Sequence, residues 1–300
     1  MFDVAVFDAA LRMATPLILA ALGGMFSERS GVVNIALEGI LLTGAFASIV
    51  ATWYTGDPWA GAFGGVLAGM LVALLHAVVT VTFRADQIVS GVAINLLAAG
   101  ATQFLTWIIW GSSSNSPSVT GMAHWTLPES WGGFARVFNT VFGHYPPLVY
   151  VTLVIVVLSH VVLWRTRFGL RLRATGEHPE AVDTLGVHVR RMRYSGVILS
   201  GALAGLGGAF LALNTHQFVK NMSAGRGYIA LAAMIFGRWN PVGAAAACLL
   251  FGYAEAVQMG LQGQHVPSQF VQMIPYVLTM VALVGVMGRA RGPAAVGKPY

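Results

Sequence analysis

Residues 146–164 read PPLVYVTLVIVVLSHVVLW, a run of 19 positions that contains no Asp, Glu, Lys or Arg. At a rise of 1.5 Å per residue, a helix of this length is about 29 Å long, which matches the roughly 30 Å hydrocarbon core of a bilayer. The stretch therefore predicts a membrane-spanning helix. Seven more apolar stretches of similar length follow the same pattern, near 9–26, 32–53, 58–83, 88–110, 195–214, 241–259 and 270–288.

One further apolar segment, 227–238, is too short to span a bilayer as a regular helix. It would cover only about 18 Å. Such a segment predicts a half-helix or re-entrant piece, and irregular backbone at membrane depth is tolerated only inside protein or beside a polar cavity.

The composition supports the same fold class across the whole chain. Of 300 residues, 56% are apolar and 9% are charged, whereas about 25% are charged in a typical soluble domain. This scarcity of charge argues against a soluble enzyme, a disordered chain and a nucleic-acid-binding domain. We predict an all-α, polytopic integral membrane protein that forms a single domain over 1–300.

Basic residues set the predicted orientation. The segment 165–193 holds seven of the 17 Lys and Arg residues, so we place it in the cytoplasm. Counting spans outward from this loop puts the N-terminus outside, the C-terminus in the cytoplasm and the long loop 111–145 on the extracytoplasmic side. This topology requires 227–238 to cross the membrane, which gives about nine crossings.

Small residues predict which spans pack closely. Gly61, Gly65 and Gly69 recur every four residues in the third span, as Gly201 and Gly205 do in the sixth. This spacing places them on one helix face, where two backbones can approach each other.

Three polar side chains at predicted membrane depth are candidates for lining a transport path. Asn34 and Glu38 are four residues apart and would project from one face of the second span. Asn95 lies about two turns into the fourth span. Glu38 has two open interpretations: it lines the path or holds the entrance of a broken helix, or it lies in the first turns of its span and reaches back to the cytoplasmic interface.

Motifs for catalysis are missing from the sequence. It contains no G-x-x-x-x-G-K-[ST], H-E-x-x-H or G-x-S-x-G pattern, and Cys248 is the one cysteine. We therefore expect no catalytic residues, no bound metal and no cofactor, and the chain is not expected to hydrolyse ATP itself.

The cytoplasmic loop contains a predicted short helix near 179–185, within GLRLRATGEHPEAVDTLG (169–186). Pro179 suits its first position, Glu180 and Asp183 place negative charge near its N-terminus, and Gly186 supplies a C-terminal stop. Its apolar face consists of Ala181, Val182 and Leu185. Two turns are unstable alone in water, so the helix packs either on a separate cytoplasmic subunit or on its own membrane domain.

Three segments carry a resemblance to a known family. The run GLRLRATGEHPEAVDTLGVHVRRMRYSGVILSGALAGLGGAFL resembles the coupling-helix loop and following span of bacterial ABC-importer permeases of the ribose/branched-chain amino acid class. ATPLILAALGGMFSERSGVVNIALEGILLTGAF, with its N-I-x-L-E-G motif, looks like the branch that serves nucleosides and simple sugars. GYIALAAMIFGRWNPVGAAAACLLFG is similar to the family's later Gly-rich segment, whereas the resemblance does not extend to the 111–145 loop.

The resemblance implies a permease of the bacterial inner membrane that transports nucleosides, with purine nucleosides such as guanosine favoured. It also implies three partners: an ATP-binding cassette ATPase subunit, a second homologous permease and an extracytoplasmic substrate-binding protein. The ATPase-coupling residues would be Glu180, Ala181, Val182, Asp183, Leu185 and Gly186. Alternatives are a permease for simple sugars or branched-chain amino acids, and a secondary transporter with Glu38 or Glu255 as its proton-coupling group.

Overall fold

The computed structural model describes residues 4–123, 145–261 and 292–300, together with Trp131, Gly132, Gly143, Met273 and Val277. The described part is built of helices, which confirms the all-α prediction. In chain order these are α1 (Val4–Arg29), α2 (Leu37–Thr55), α3 (Pro58–Ala77, continued by a π-helical turn at Val78–Thr82), α4 (Gln87–Trp110), α5 (Pro147–Arg165), α6 (Arg167–Glu177), α7 (Pro179–Thr184), α8 (Val189–Thr215), α9 (Arg226–Phe236) and α10 (Pro241–Leu261).

Seven of the described helices are long and apolar enough to cross a membrane, and α9 is a shorter apolar helix of 11 residues. The prediction of a short helical segment at 227–238 is thus confirmed. The predicted span near 270–288 lies outside the described residues, apart from Met273 and Val277. So does most of the 111–145 loop beyond position 123.

Aspartate caps fix where two of the membrane helices begin. One Asp57 carboxylate oxygen accepts the Trp59 N–H at 2.9 Å, and Pro58 occupies the first helical position of α3. Asp86 accepts the N–H groups of Ile88 and Val89 in the same way at the start of α4. These bonds satisfy amide groups that a helix leaves unpaired in its first turn.

Helix α8 lies at the centre of the bundle and packs against α1, α2 and α3. At its contact with α3 the backbones nearly touch. A Cβ added to Gly201 would lie 2.4 Å from the Gly69 carbonyl oxygen, and one added to Gly205 would lie 2.4 Å from that of Gly65. The predicted small-residue faces are confirmed, since no larger side chain fits at these positions.

The predicted second span, 32–53, is wrong at its start, because α2 begins only at Leu37. Gly31 has a φ of +95°, which ends the regular helical path after α1. In the segment 31–36, side chains from other helices satisfy backbone groups that a helix would pair internally. The Gln87 Oε1 accepts the Val33 N–H at 2.7 Å, and the Asn95 Nδ2 donates to the Ile35 carbonyl oxygen at 3.0 Å.

The segment 165–193 contains more helix than the sequence predicted. Besides the short helix α7, it holds α6, and α8 begins as early as Val189. The Thr166 hydroxyl oxygen accepts the Gly169 N–H at 3.1 Å and so caps α6, while Leu172 on this helix is fully buried. The sequence analysis predicted a loop here, because the stretch is rich in Arg and the buried face of this amphipathic helix is narrow.

One end of the bundle gathers segments that are distant in sequence. The Arg29 Nη2 donates to the Trp239 carbonyl oxygen at 3.1 Å, just after α9. Residues 292–300 lie along the same end, where the Ala295 N–H donates to the Gly176 carbonyl oxygen at 2.8 Å. At the opposite end, the Ser116 N–H donates to the Phe218 carbonyl oxygen at 2.9 Å.

Candidate functional site: a broken-helix junction at membrane depth

The Glu38 carboxylate joins the start of α2 to the start of α9. Its Oε1 accepts the Gly225 N–H at 2.8 Å, and its Oε2 accepts the Gly227 N–H at 2.7 Å. Gly225 is the residue just before α9 and Gly227 lies in its first turn, where a helix leaves N–H groups unpaired. A carboxylate also suits the positive end of the helix dipole. Glu38 therefore holds the entrance of a broken helix, one of the two interpretations that the sequence left open.

Glycine at position 227 makes this contact possible. A Cβ added there would lie 2.4 Å from the Glu38 backbone nitrogen. Any larger residue would push the first turn of α9 away from α2 and break the pairing with the carboxylate.

Asn95, on α4, pairs with backbone groups at the start of α2 in a similar way. Its Oδ1 accepts the Gly39 N–H at 2.8 Å, and its Nδ2 donates to the Ile35 carbonyl oxygen and, at 2.9 Å, to the Tyr228 hydroxyl oxygen. The position before α2 is Ala36, whose side chain cannot cap a helix. Asn95 therefore supplies the missing cap and links α2, α4 and α9.

Asn34 faces away from this cluster, so the prediction that it shares a helix face with Glu38 is wrong. It precedes α2 and is fully buried. Its Nδ2 donates to the Ser200 hydroxyl oxygen on α8 at 2.9 Å, and its Oδ1 lacks a hydrogen-bond partner among the described residues. Asn34 thus anchors the segment 31–36 to the central helix.

An ion pair lies at the start of α9, next to these contacts. The Arg226 Nη2 lies 3.4 Å from the Glu255 Oε2 on α10, and both side chains are largely buried. We name Glu38, Asn95, Tyr228 and the Arg226–Glu255 pair the junction.

The length of α9 puts the junction inside the hydrocarbon core rather than at its edge. Helix α9 is about 16 Å long, half the hydrocarbon thickness. Its far end reaches the end of α1, where the Trp239 Nε1 donates to the Glu28 Oε2 at 2.7 Å. Asn95 lies about 12 Å along α4 from the same end of the bundle. Polar groups at this depth are costly unless they are paired, and here each has a hydrogen-bond or ion-pair partner.

The second candidate region is helix α7, whose predicted apolar face the structure divides. Val182 is 5% exposed and packs inward, whereas Leu185 is 82% exposed and Ala181 is also exposed. Glu180 and Asp183 face solvent. Gly186 has a φ of +77°, the left-handed conformation expected of a glycine that ends a helix.

Residues 292–300 brace α7 and its surroundings. The buried Arg193 donates from Nη1 to the Lys298 carbonyl oxygen at 2.9 Å. Desolvation and a hydrogen bond with Asp183 on α7 raise the pKa of Tyr300. This segment therefore joins α7 to the first turns of α8.

A family profile described as "Branched-chain amino acid transport system / permease component" matches residues 6–288. The chain belongs to this permease family. It is a multi-pass protein of the bacterial plasma membrane and a transport subunit rather than an enzyme. Permeases of this kind work with ATP-binding and substrate-binding partners.

Curated relatives cover nearly the whole permease. It is 41% identical to the guanosine ABC transporter permease protein NupQ of Bacillus subtilis, over 98% of this chain and 96% of the relative. It is also 41% identical to the nucleoside ABC transporter permease protein NupC of Lactococcus lactis, over 96% of this chain and 93% of the relative. A further guanosine ABC transporter permease protein of the same Bacillus, NupP, is 28% identical over 95% of this chain and 84% of its own.

A solved structure shares the fold of the permease. An inward-facing metal-chelate type ABC transporter matches with a TM-score of 0.51 at 15% identity, covering 94% of this chain and 86% of that chain. At this identity the likeness concerns the fold alone.

Sequence reasoning named Glu38 and Asn95 as path residues and Glu255 as an alternative proton-coupling group, but it missed Tyr228 and the pairing of Arg226 with Glu255. The signal for the pair was present, because two opposite charges stood in apolar surroundings on consecutive predicted helices. Tyr228 gave no such signal, since tyrosine is common at the ends of membrane helices.

Proposed function

We propose that this permease translocates nucleosides, with purine nucleosides such as guanosine favoured, as the membrane subunit of an ATP-driven importer. The observation that carries the proposal is 41% identity over almost the full length of two permeases named for nucleoside transport. The N-I-x-L-E-G motif adds support, because its Asn34 and Glu38 hold the two broken segments that meet at membrane depth.

We propose nine crossings with the N-terminus outside and the C-terminus in the cytoplasm. The end of the bundle that gathers Arg29, α6, α7 and residues 292–300 is the strongly basic end, which favours the cytoplasmic side. With α9 starting inside the hydrocarbon core, residues 216–236 together make one crossing. The span predicted from the sequence near 270–288 would supply the last.

The proposed substrate path runs past the junction. Glu38 and Asn95 are half-buried there, and discontinuous helices at the bilayer midplane form the substrate sites of many transporters. The predicted path residues Glu38 and Asn95 stay in this proposal. Asn34 remains in it as a residue that positions the 31–36 segment.

Helix α7 is the proposed contact for the ATPase, through the exposed Leu185 and Ala181, with Glu180 and Asp183 beside them and Gly186 ending the helix. Val182 supports the helix from within. A second homologous permease completes the membrane domain, which fits the similarity of this chain to two guanosine permease proteins of one organism. A binding protein would deliver the solute from outside.

Uptake assays test the proposed substrate class. Labelled guanosine, adenosine, uridine and ribose are supplied to cells that have or lack this chain. We expect chain-dependent uptake of the nucleosides. Uptake of ribose alone would instead support the simple-sugar alternative.

A further inference from the structure

Helices α4 and α9 lie on either side of the first turn of α2. Each packs against α2, but they have little direct contact with each other. Gly39 lets Asn95 and Ala98 approach from one side, and Gly227 lets α9 approach from the other. The hydrogen bond from the Asn95 Nδ2 to the Tyr228 hydroxyl oxygen bridges the two helices.

Tyr228, in the first turn of α9, presents a large exposed side-chain surface beside this contact. It is 47% exposed, whereas Glu38 and Asn95 are half-buried and already occupied by the backbone groups they cap. Asn95 therefore holds the Tyr228 hydroxyl group while much of the side chain stays exposed.

The surroundings of Tyr228 cannot face lipid. The preceding backbone is irregular, with Asn221 and Ala224 at φ values of 56° and 48°, and both residues are exposed. Irregular backbone at membrane depth persists only where it is covered by protein or lines a water-filled space. The ring of Tyr228 thus borders a protein-lined or aqueous space rather than hydrocarbon.

The chemistry of this surface suits a planar heterocycle. The bond from Asn95 pins the ring in one orientation before any ligand arrives, which lowers the entropic cost of stacking. Base–aromatic stacking contributes strongly to recognition and depends little on the identity of the base, because every base has a π-face. A free sugar has no such face.

We propose that Tyr228 is the specificity-determining platform on which the base of a passing nucleoside stacks. This inference rests on the proposed nucleoside transport and deepens it to one residue. Tyr228→Leu removes the aromatic face, whereas Tyr228→Phe keeps it and removes only the bond to Asn95. Tyr54→Leu is the matched control, because Tyr54 is 72% exposed at the far end of α2.

The experiment uses the complete transporter in liposomes with saturating binding protein. It measures initial rates for guanosine and uridine together with the ATPase rate that the binding protein stimulates. We expect Tyr228→Leu to lower the guanosine rate at least about five-fold, the lower end of the effect of losing one base stack. Uridine should fall less, because its single ring stacks over a smaller area, and the ATPase rate should fall less than the guanosine rate. Tyr228→Phe keeps the aromatic face and loses one hydrogen bond, so its guanosine rate should fall less than that of Tyr228→Leu.

The outcomes separate this inference from the function on which it rests. Wild-type complex that carries neither nucleoside overturns both. Normal wild-type transport with a Tyr228→Leu variant that behaves like Tyr54→Leu overturns the platform alone. So does an equal loss in the Leu and Phe variants, or a parallel loss of ATPase activity, since either would reveal a purely structural residue.

Discussion

The Glu38 carboxylate connects two helices through hydrogen bonds from both of its oxygens. Its two oxygens accept two backbone N–H groups at the start of α9, and such charge-assisted bonds contribute about 1.5–3 kcal/mol each. Glu38→Gln keeps the shape but turns one acceptor into an NH₂ donor that faces a backbone N–H. We expect uptake to fall strongly in Glu38→Gln and further in Glu38→Ala, at unchanged abundance in the membrane.

A matched control for Glu38 is Asp86→Asn, which weakens a similar cap at the start of α4, away from the junction. We expect it to retain most uptake. Normal transport by Glu38→Ala at normal abundance would remove this residue from the proposed path.

The residue scale also shows what the sequence could not reveal. Glu38 and Asn95 stood out because polar groups in apolar spans are rare. Their partners did not, since they are backbone amides of Gly225, Gly227 and Gly39 that only the fold brings near. Asn34 was placed on the wrong face because an unbroken apolar pattern hides a break whose hydrogen bonds come from distant helices.

At the scale of elements, helix α7 has one residue exposed for a partner and another buried against its own membrane domain. Leu185 is exposed and Val182 is buried, so the same change should act differently at each. We expect Leu185→Asp to insert and accumulate normally, to weaken co-purification of the ATPase and to lower uptake. Burying one Leu contributes about 1.5–3 kcal/mol, and the new charge would be stranded in the contact.

Val182→Asp should instead lower the thermal stability of the permease itself, because it places a charge inside the protein. The neighbouring exposed Thr184→Asp serves as the control for added charge. Full transport by Leu185→Asp with an intact complex would reduce this segment to a connector.

The close contact of α3 and α8 gives a stability prediction. A Cβ at Gly205 would clash with the Gly65 carbonyl oxygen at 2.4 Å, so Gly205→Ala should destabilise the bundle by about 1–3 kcal/mol. Gly100→Ala on α4 is the matched control, because nothing lies within 4 Å of its added Cβ. We expect this control to be neutral or slightly stabilising. Equal melting temperatures in detergent for the two variants would contradict the packing.

At the scale of the whole molecule, the sequence predicted the helices well and their breaks poorly. Apolar length and the small-residue faces are local patterns, and they were sufficient for the spans and for the α3–α8 contact. The break before α2 and the cap from Asn95 depend on contacts across the bundle. No periodicity along one segment records them.

The orientation of the chain is tested by cysteine labelling. Cys248 is buried, and a Cys248→Ala background removes the native thiol. We expect a cysteine at the exposed Ser113 to react with an impermeant reagent from outside. A cysteine at Thr184 should react only after permeabilisation in cells that lack the ATPase. The reversed pattern would contradict the proposed topology.

The most direct measurement of the central claim is guanosine uptake with the proton gradient collapsed and cellular ATP kept high. Cells that carry this permease and its partners are compared with cells that lack only this chain. An ATP-driven nucleoside importer predicts chain-dependent uptake that persists without the gradient. Uptake that disappears with the gradient, or that is equal in the two strains, would contradict the account.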